Sequence, residues 1–208
     1  MSLYEQTLRR IRYGRPIVVV SGLPRSGTSM AMNMLRAGGL DVLTDGLRQA
    51  DESNPKGYYE LESVKELDKH GDARWLKEAR GKAVKIISFL LTFLPEEHDY
   101  RVMFMQRDLD EVLASQNKML VQRGEMPGTR DSDAQLRQYY EKHLASVQRF
   151  LSRRRCFSVL EVQYRAAIER PREEAQRINA FLGGGLDVAR MAAVGDPALY
   201  RNRRSGGV

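Results

Sequence analysis

Ile17-Val18-Val19-Val20-Ser21-Gly22-Leu23-Pro24-Arg25-Ser26-Gly27-Thr28-Ser29 is the stretch whose reading decides the fold. Consecutive apolar residues suit a strand covered on both faces, and this one runs straight into a glycine-bearing turn and then a helix. Gly22 and Gly27 keep the spacing of the phosphate loop GxxxxGK[ST], but Thr28 stands where nucleotide hydrolases need lysine. The cation lies inside the loop instead, at Arg25. Backbone N–H groups from Arg25 to Ser29, at a helix start with its dipole behind them, can still hold a phosphate. What is missing is the lysine that neutralises a β/γ-phosphate pair.

A second pattern lies at Arg107-Asp108-Leu109-Asp110-Glu111-Val112-Leu113-Ala114-Ser115. Tyr100 to Gln106 reads as a strand covered on both faces, which puts Arg107 at its carboxyl end. Asp108 is a good N-cap with Glu111 three residues on, and Val112, Leu113, Met119 and Leu120 form the apolar stripe of the helix. Ser115 lies two helical turns past the cap, on the face of the helix start. Later, Pro171 opens a helix with Ile178, Phe181 and Leu182 facing the core, and Gly183 closes it.

Pro24-Arg25-Ser26-Gly27-Thr28-Ser29 resembles the 5′-phosphosulfate loop of sulfotransferases, which use 3′-phosphoadenosine 5′-phosphosulfate (PAPS). Arg107 with Ser115 resembles that family's hold on the 3′-phosphate: a dianion wants a guanidinium fork and a neutral donor from rigid elements. The resemblance spans most of residues 16–183. It implies an α/β fold, a P-loop-containing three-layer α/β/α arrangement with a mostly parallel central sheet. It also implies PAPS as sulfuryl donor without a metal, and Tyr164 close to the adenine.

Sulfuryl transfer leaves negative charge on the bridging oxygen and requires the acceptor to lose a proton. Arg25 answers the first need, and Lys85 shares it: cytosolic sulfotransferases read Val-Lys-Thr-His where this chain reads Val84-Lys85-Ile86-Ile87, so the lysine is kept and the catalytic histidine is not. Tyrosylprotein sulfotransferases share the Pro-Arg-Ser-Gly-Thr loop and use a glutamate farther on; the same count from Arg25 reaches Asp45. The run Asn54-Pro55-Lys56-Gly57-Tyr58-Tyr59-Glu60 resembles a segment of bacterial sulfotransferase-like proteins. Glu60, Asp45, Asp51, Glu52 or no protein group at all therefore stand as readings of the base. His70, His98 and His143 read as solvated or structural.

With 208 residues, 42% of them hydrophobic, the chain can bury one core, and the expectation is a single domain over 1–208. A net charge of +7 fits a polyanionic cofactor, nucleic acid or an anionic membrane surface. No nucleic-acid motif accompanies it, so we assign the charge to the PAPS cleft and to solvated surface, with a small-molecule, carbohydrate or lipid acceptor. Cys156 is the single cysteine, which rules out a disulfide within the chain. The apolar stretches 17–20 and 86–94 are too short to span a bilayer and residues 1–15 lack a signal-peptide core, so the expected location is cytoplasmic.

The remaining expectations are helices near 3–12, 28–37, 60–70, 133–153 and 171–182, and strands at 16–21, 41–44, 82–88 and 156–162. Two polar breaks at 45–60 and 123–133 read as mobile loops, the second as a lid over the acceptor. Two other functions stay open: a P-loop kinase or nucleotide-binding protein with a degenerate loop, and a catalytically silent binder of PAPS or its product.

Overall fold

The computed structural model describes residues 9, 11–46, 57, 59–69 and 73–195. Ile17–Gly22 forms β1, buried at every position. Such burial follows from its place inside the sheet: β2 (Ala83–Lys85) lies on one side and β3 (Tyr100–Gln106) on the other, with β4 (Phe157–Gln163) beyond β3. The order is β2-β1-β3-β4, and every pair is parallel. Parallel strands present their carboxyl ends at one edge, where ligands of open α/β sheets bind. In register, Val20 faces Lys85 and Gly22 faces Met105, so the loop after β1, Lys85 and Arg107 all leave the sheet at that edge.

Alternation along β1 divides its side chains between two cores. Val18 and Val20 pack with Met32, Met34 and Leu35 of α1 (Thr28–Ala37) and Ile178, on the face that α7 (Pro171–Leu182) and α8 (Val188–Ala192) share. Ile17 and Val19 pack on the other face with Val84, Phe104 and Leu91, and with Val147 and Leu151 of the long α5 (Arg130–Arg153). Helices on both faces of a parallel sheet make three layers. A smaller cluster joins Leu23 of the loop to Val112 and Leu113 of α4 (Leu109–Gln122) and to Tyr140, with Phe89 against it.

Four elements differ from expectation, each for a local reason. The helix expected over 60–70 is α2 (Glu62–Lys65) followed by a 3₁₀ turn at Leu67–Lys69. The strand expected over 82–88 stops at Lys85 and gives way to a 3₁₀ segment, Ser88–Phe93. The Ile86 N–H makes the last bond to β1, on the Val20 carbonyl at 3.0 Å, and the chain then turns into the 3₁₀ segment while β1 runs on to Gly22 paired with β3. The long helix begins at Arg130 rather than 133, because the Thr129 hydroxyl accepts from the Ser132 N–H at 3.2 Å; the preceding break shrinks to 123–129. Asp41–Thr44 contributes one parallel bridge, Val42 to Ala83, and no strand. A short helix, α3 (Trp75–Glu78), precedes β2, and α6 (Tyr164–Glu169) follows β4 directly. Of the opening helix, residues 11–13 are helical and most of the rest lies outside the described residues.

His98 and His143 are structural. The His143 Nε2 lies 2.9 Å from Ser88 Oγ, and its ring stacks on Phe89 with centroids 3.8 Å apart. Burial holds both histidines below the ordinary imidazole range, with the Arg80 charge adding to the effect at His98. The folded chain thus favours neutral rings, whereas the unfolded chain takes up protons below about pH 6.5. Stability is therefore full above that value and falls as pH drops from it. Thermal melts should show a decreasing melting temperature between about pH 6.5 and 5, and imidazole titrations by NMR should have midpoints below about 6.5. A flat melting temperature across that range would contradict this assignment.

Candidate active site

The loop after β1 closes from within. Ser26 is buried; its N–H and its hydroxyl both donate to the Leu23 carbonyl, at 3.2 and 2.7 Å. Its amide thus leaves the set of N–H groups expected to face a phosphate. Gly22 is required sterically, since a Cβ there would stand 2.7 Å from the Met105 carbonyl oxygen. Arg25 takes a left-handed backbone (φ 69°), and Gly27 follows at φ 101°. Gly27 caps α1 without a side chain, and the first turn holds no acidic residue. The positive end of a ten-residue helix thus faces the loop with no anionic side chain of its own helix turn to compete for it. Pro24 is exposed, Ser29 half-buried and Thr28 buried.

The two sequence motifs meet through Arg25. Its Nε donates to Ser115 Oγ at 2.9 Å, and its carbonyl accepts from Arg107 Nη1 at 3.1 Å. Ser115 accepts in this bond, so its hydroxyl proton can still be donated. Arg107 also donates through Nε to Glu111 Oε2 at 3.0 Å, and its guanidinium lies 4.3 Å above the Tyr164 ring. The Arg107 and Glu111 side chains are each only 8% exposed. Asp108 caps α4 as expected, accepting from the N–H groups of Asp110 and Glu111. Glu111, read from sequence as part of that cap, sends its carboxylate to Arg107; the i, i+4 spacing of Arg107 and Glu111 was the available signal.

Tyr164 opens α6 directly beneath the loop. A Cβ on Gly27 would lie 2.4 Å from its ring, which explains why the loop needs glycine at that point. Burial pushes the Tyr164 phenol up, with Arg107 and Arg25 pulling against it and Glu111 adding to it.

The second half of the site is built around Glu60. Its carboxylate lies 3.8 Å from Lys85 Nζ and 3.8 Å from Lys65 Nζ. The Lys85 side chain, 9% exposed, stands at the carboxyl end of β2. Thr44 Oγ1 and the Asp45 N–H hold the Glu60 carbonyl at 2.8 and 3.2 Å. Asp45 serves the fold here: its Oδ2 accepts from the Glu62 N–H at 2.6 Å and fixes the start of α2. Asp51, Glu52 and His70 lie outside the described residues. Among the described residues no group of three or more His, Cys, Asp or Glu is placed to hold a metal, and no helix is long and apolar enough to cross a membrane.

Residues 15–204 match the family model of the sulfotransferase domain. The chain belongs to the sulfotransferase family. Its fold is similar to that of the sulfotransferase STF9 from Mycobacterium avium, with a TM-score of 0.58 at 14% identity over 97% of this chain and 73% of the other. It is also similar to the sulfotransferase domain from the curacin biosynthetic pathway, with a TM-score of 0.50 at 15% identity over 93% and 81% of the two chains. No curated protein sequence matches it. At these identities the structures establish the sulfotransferase fold, and the family model carries the assignment.

Gly27 tests how tightly this sulfotransferase's loop is built. Gly27→Ala should destabilise the protein by about 1–3 kcal/mol, through the left-handed backbone and the collision with Tyr164. Adding Tyr164→Ala should recover the collision but not the backbone cost, so melting of the double variant relative to Tyr164→Ala alone separates the two. Equal melting temperatures for parent and Gly27→Ala would sink this account.

Proposed function

We propose that the chain transfers the sulfuryl group of PAPS to a hydroxyl or amine of a small-molecule, carbohydrate or lipid acceptor. The observation that carries this reading is the Arg25–Ser115–Arg107 network: two arginines and a hydroxyl from separate elements converge at the start of α1. The residues fit the donor, since the first turn of α1 lacks both a side-chain cap and an acid. PAPS supplies an activated sulfuryl group whose departure leaves negative charge on the phosphate side. Pro24 to Ser29 surround the 5′-phosphate, and the N–H groups of Gly27, Thr28 and Ser29 face it. Arg107 and the Ser115 hydroxyl hold the 3′-phosphate.

Arg25 and Lys85 stabilise the developing charge on the bridging oxygen, a task that fixed cations perform without reorganisation at the moment of reaction. Glu60 takes the acceptor proton. Its distance of 3.8 Å from Lys85 favours it over Asp45, whose carboxylate already caps α2. Tyr164 supports the loop and Arg107 from below; with its ring against the guanidinium, that role is better supported than an adenine contact.

Arg107→Ala should weaken binding of adenosine 3′,5′-bisphosphate by roughly 1.5–3 kcal/mol, and Ser115→Ala by less, with much smaller effects on adenosine 5′-phosphate. Calorimetry with both nucleotides decides it; equal losses for the two would remove the 3′-phosphate site from this place. Glu60→Gln should lower turnover by about 10²–10⁴ at nearly unchanged nucleotide affinity. Asp45→Asn should cost only a few-fold, mainly through the helix cap. If both amides turn over like the parent, the loop supplies no base and the proton leaves to water or to the substrate itself.

A further inference from the structure

Tyr59 and Arg25 are the two non-glycine residues with a left-handed backbone among the described residues. Arg25 sits in the phosphate loop; Tyr59, at φ 52°, immediately precedes Glu60. A bulky aromatic residue in this region costs conformational free energy that surrounding contacts must offset. Those contacts point in two directions. The Tyr59 hydroxyl donates to Asn33 Oδ1 on α1, and its ring packs against the core beneath that helix. The next side chain, Glu60, reaches the end of β2 at Lys85. The Glu60 carbonyl accepts from Thr44 Oγ1 and from the Asp45 N–H, which fixes the backbone on the far side of Tyr59 as well. Packing alone would need neither a hydroxyl acceptor on α1 nor a strained backbone one residue before the carboxylate.

Resting on the reading of Glu60 as base, we propose that Tyr59 is a positioning residue. It ties the carboxylate to the helix whose N-terminus holds the donor, so donor binding at the loop steadies Glu60 as well. A group held within a fraction of an ångström of its productive place is lost to catalysis when its support is loosened, while the donor's own contacts stay intact.

Two measurements on the full chain test this. In the first, amide hydrogen exchange is followed with and without adenosine 3′,5′-bisphosphate. In the parent the nucleotide should slow exchange at the start of α1 and also at residues 44–46 and 60–62; in Tyr59→Phe only the first protection should remain. Persistence of both protections in Tyr59→Phe overturns the strut. Absence of protection at α1 in the parent overturns the donor reading and the strut with it.

In the second, release of adenosine 3′,5′-bisphosphate from PAPS is measured with a pooled metabolite extract as acceptor. Tyr59→Phe should lower kcat by about tenfold or more with little change in nucleotide Kd. Asn33→Leu should do the same, the double variant should be no worse than either single one, and Asn33→Asp, which keeps an acceptor for the hydroxyl, should retain most of the kcat. Parental kcat in Tyr59→Phe alongside a large loss in Glu60→Gln overturns the strut and leaves the base reading standing. Parental kcat in Glu60→Gln removes the base and the strut together.

Discussion

Arg25 is held at both ends, and the rest of the site is arranged around that fact. Its side chain donates to Ser115 on α4, its carbonyl accepts from Arg107 at the end of β3, and its own backbone is left-handed. A cation placed inside a phosphate loop rather than after it must be kept from swinging into solvent. Here the neighbouring strand and helix hold it. Because β1 and β3 are paired in register up to Gly22 and Met105, the loop and the arginine motif emerge side by side. The sheet thereby turns two short sequence motifs, distant in the chain, into one rigid cradle.

Three cations converge at this edge of the sheet, and each has a nearby partner that makes its burial tolerable. Arg107 meets Glu111 within a largely buried pair, Lys85 lies beside Glu60, and the Arg25 Nε donates to the Ser115 hydroxyl. Buried charges without such partners would be expensive.

Much of the architecture was legible because its signals are local. Helices 28–37 and 171–182 have the expected bounds, the second set by Pro171 and Gly183. The strand-loop-helix order and the parallel sheet follow from apolar runs alternating with helical stripes. Thr129 is an equally local cap, and it starts the helix three residues before the acid at 133 from which the expected helix runs. The early end of β2 is of another kind: its ladder with β1 stops at Lys85 although β1 runs on to Gly22 against β3, because the chain after Ile86 turns into a 3₁₀ segment.

Spacing and residue type by themselves determined the strand-turn-helix around Gly22 and Gly27 and the arginine at the end of β3, and the resemblance of these motifs to sulfotransferases pointed to the family. They left Glu60, Asp45, Asp51, Glu52 or no protein group as readings of the base, and they put Glu111 in a cap. Tertiary structure distinguished these residues by bringing Glu60 to Lys85, Asp45 to the start of α2 and Glu111 to Arg107. The physical reason is that a phosphate loop is written in adjacent residues whose backbone shapes one turn. Which carboxylate meets a lysine on another strand is set by the path of the chain between them, and no local spacing encodes that path.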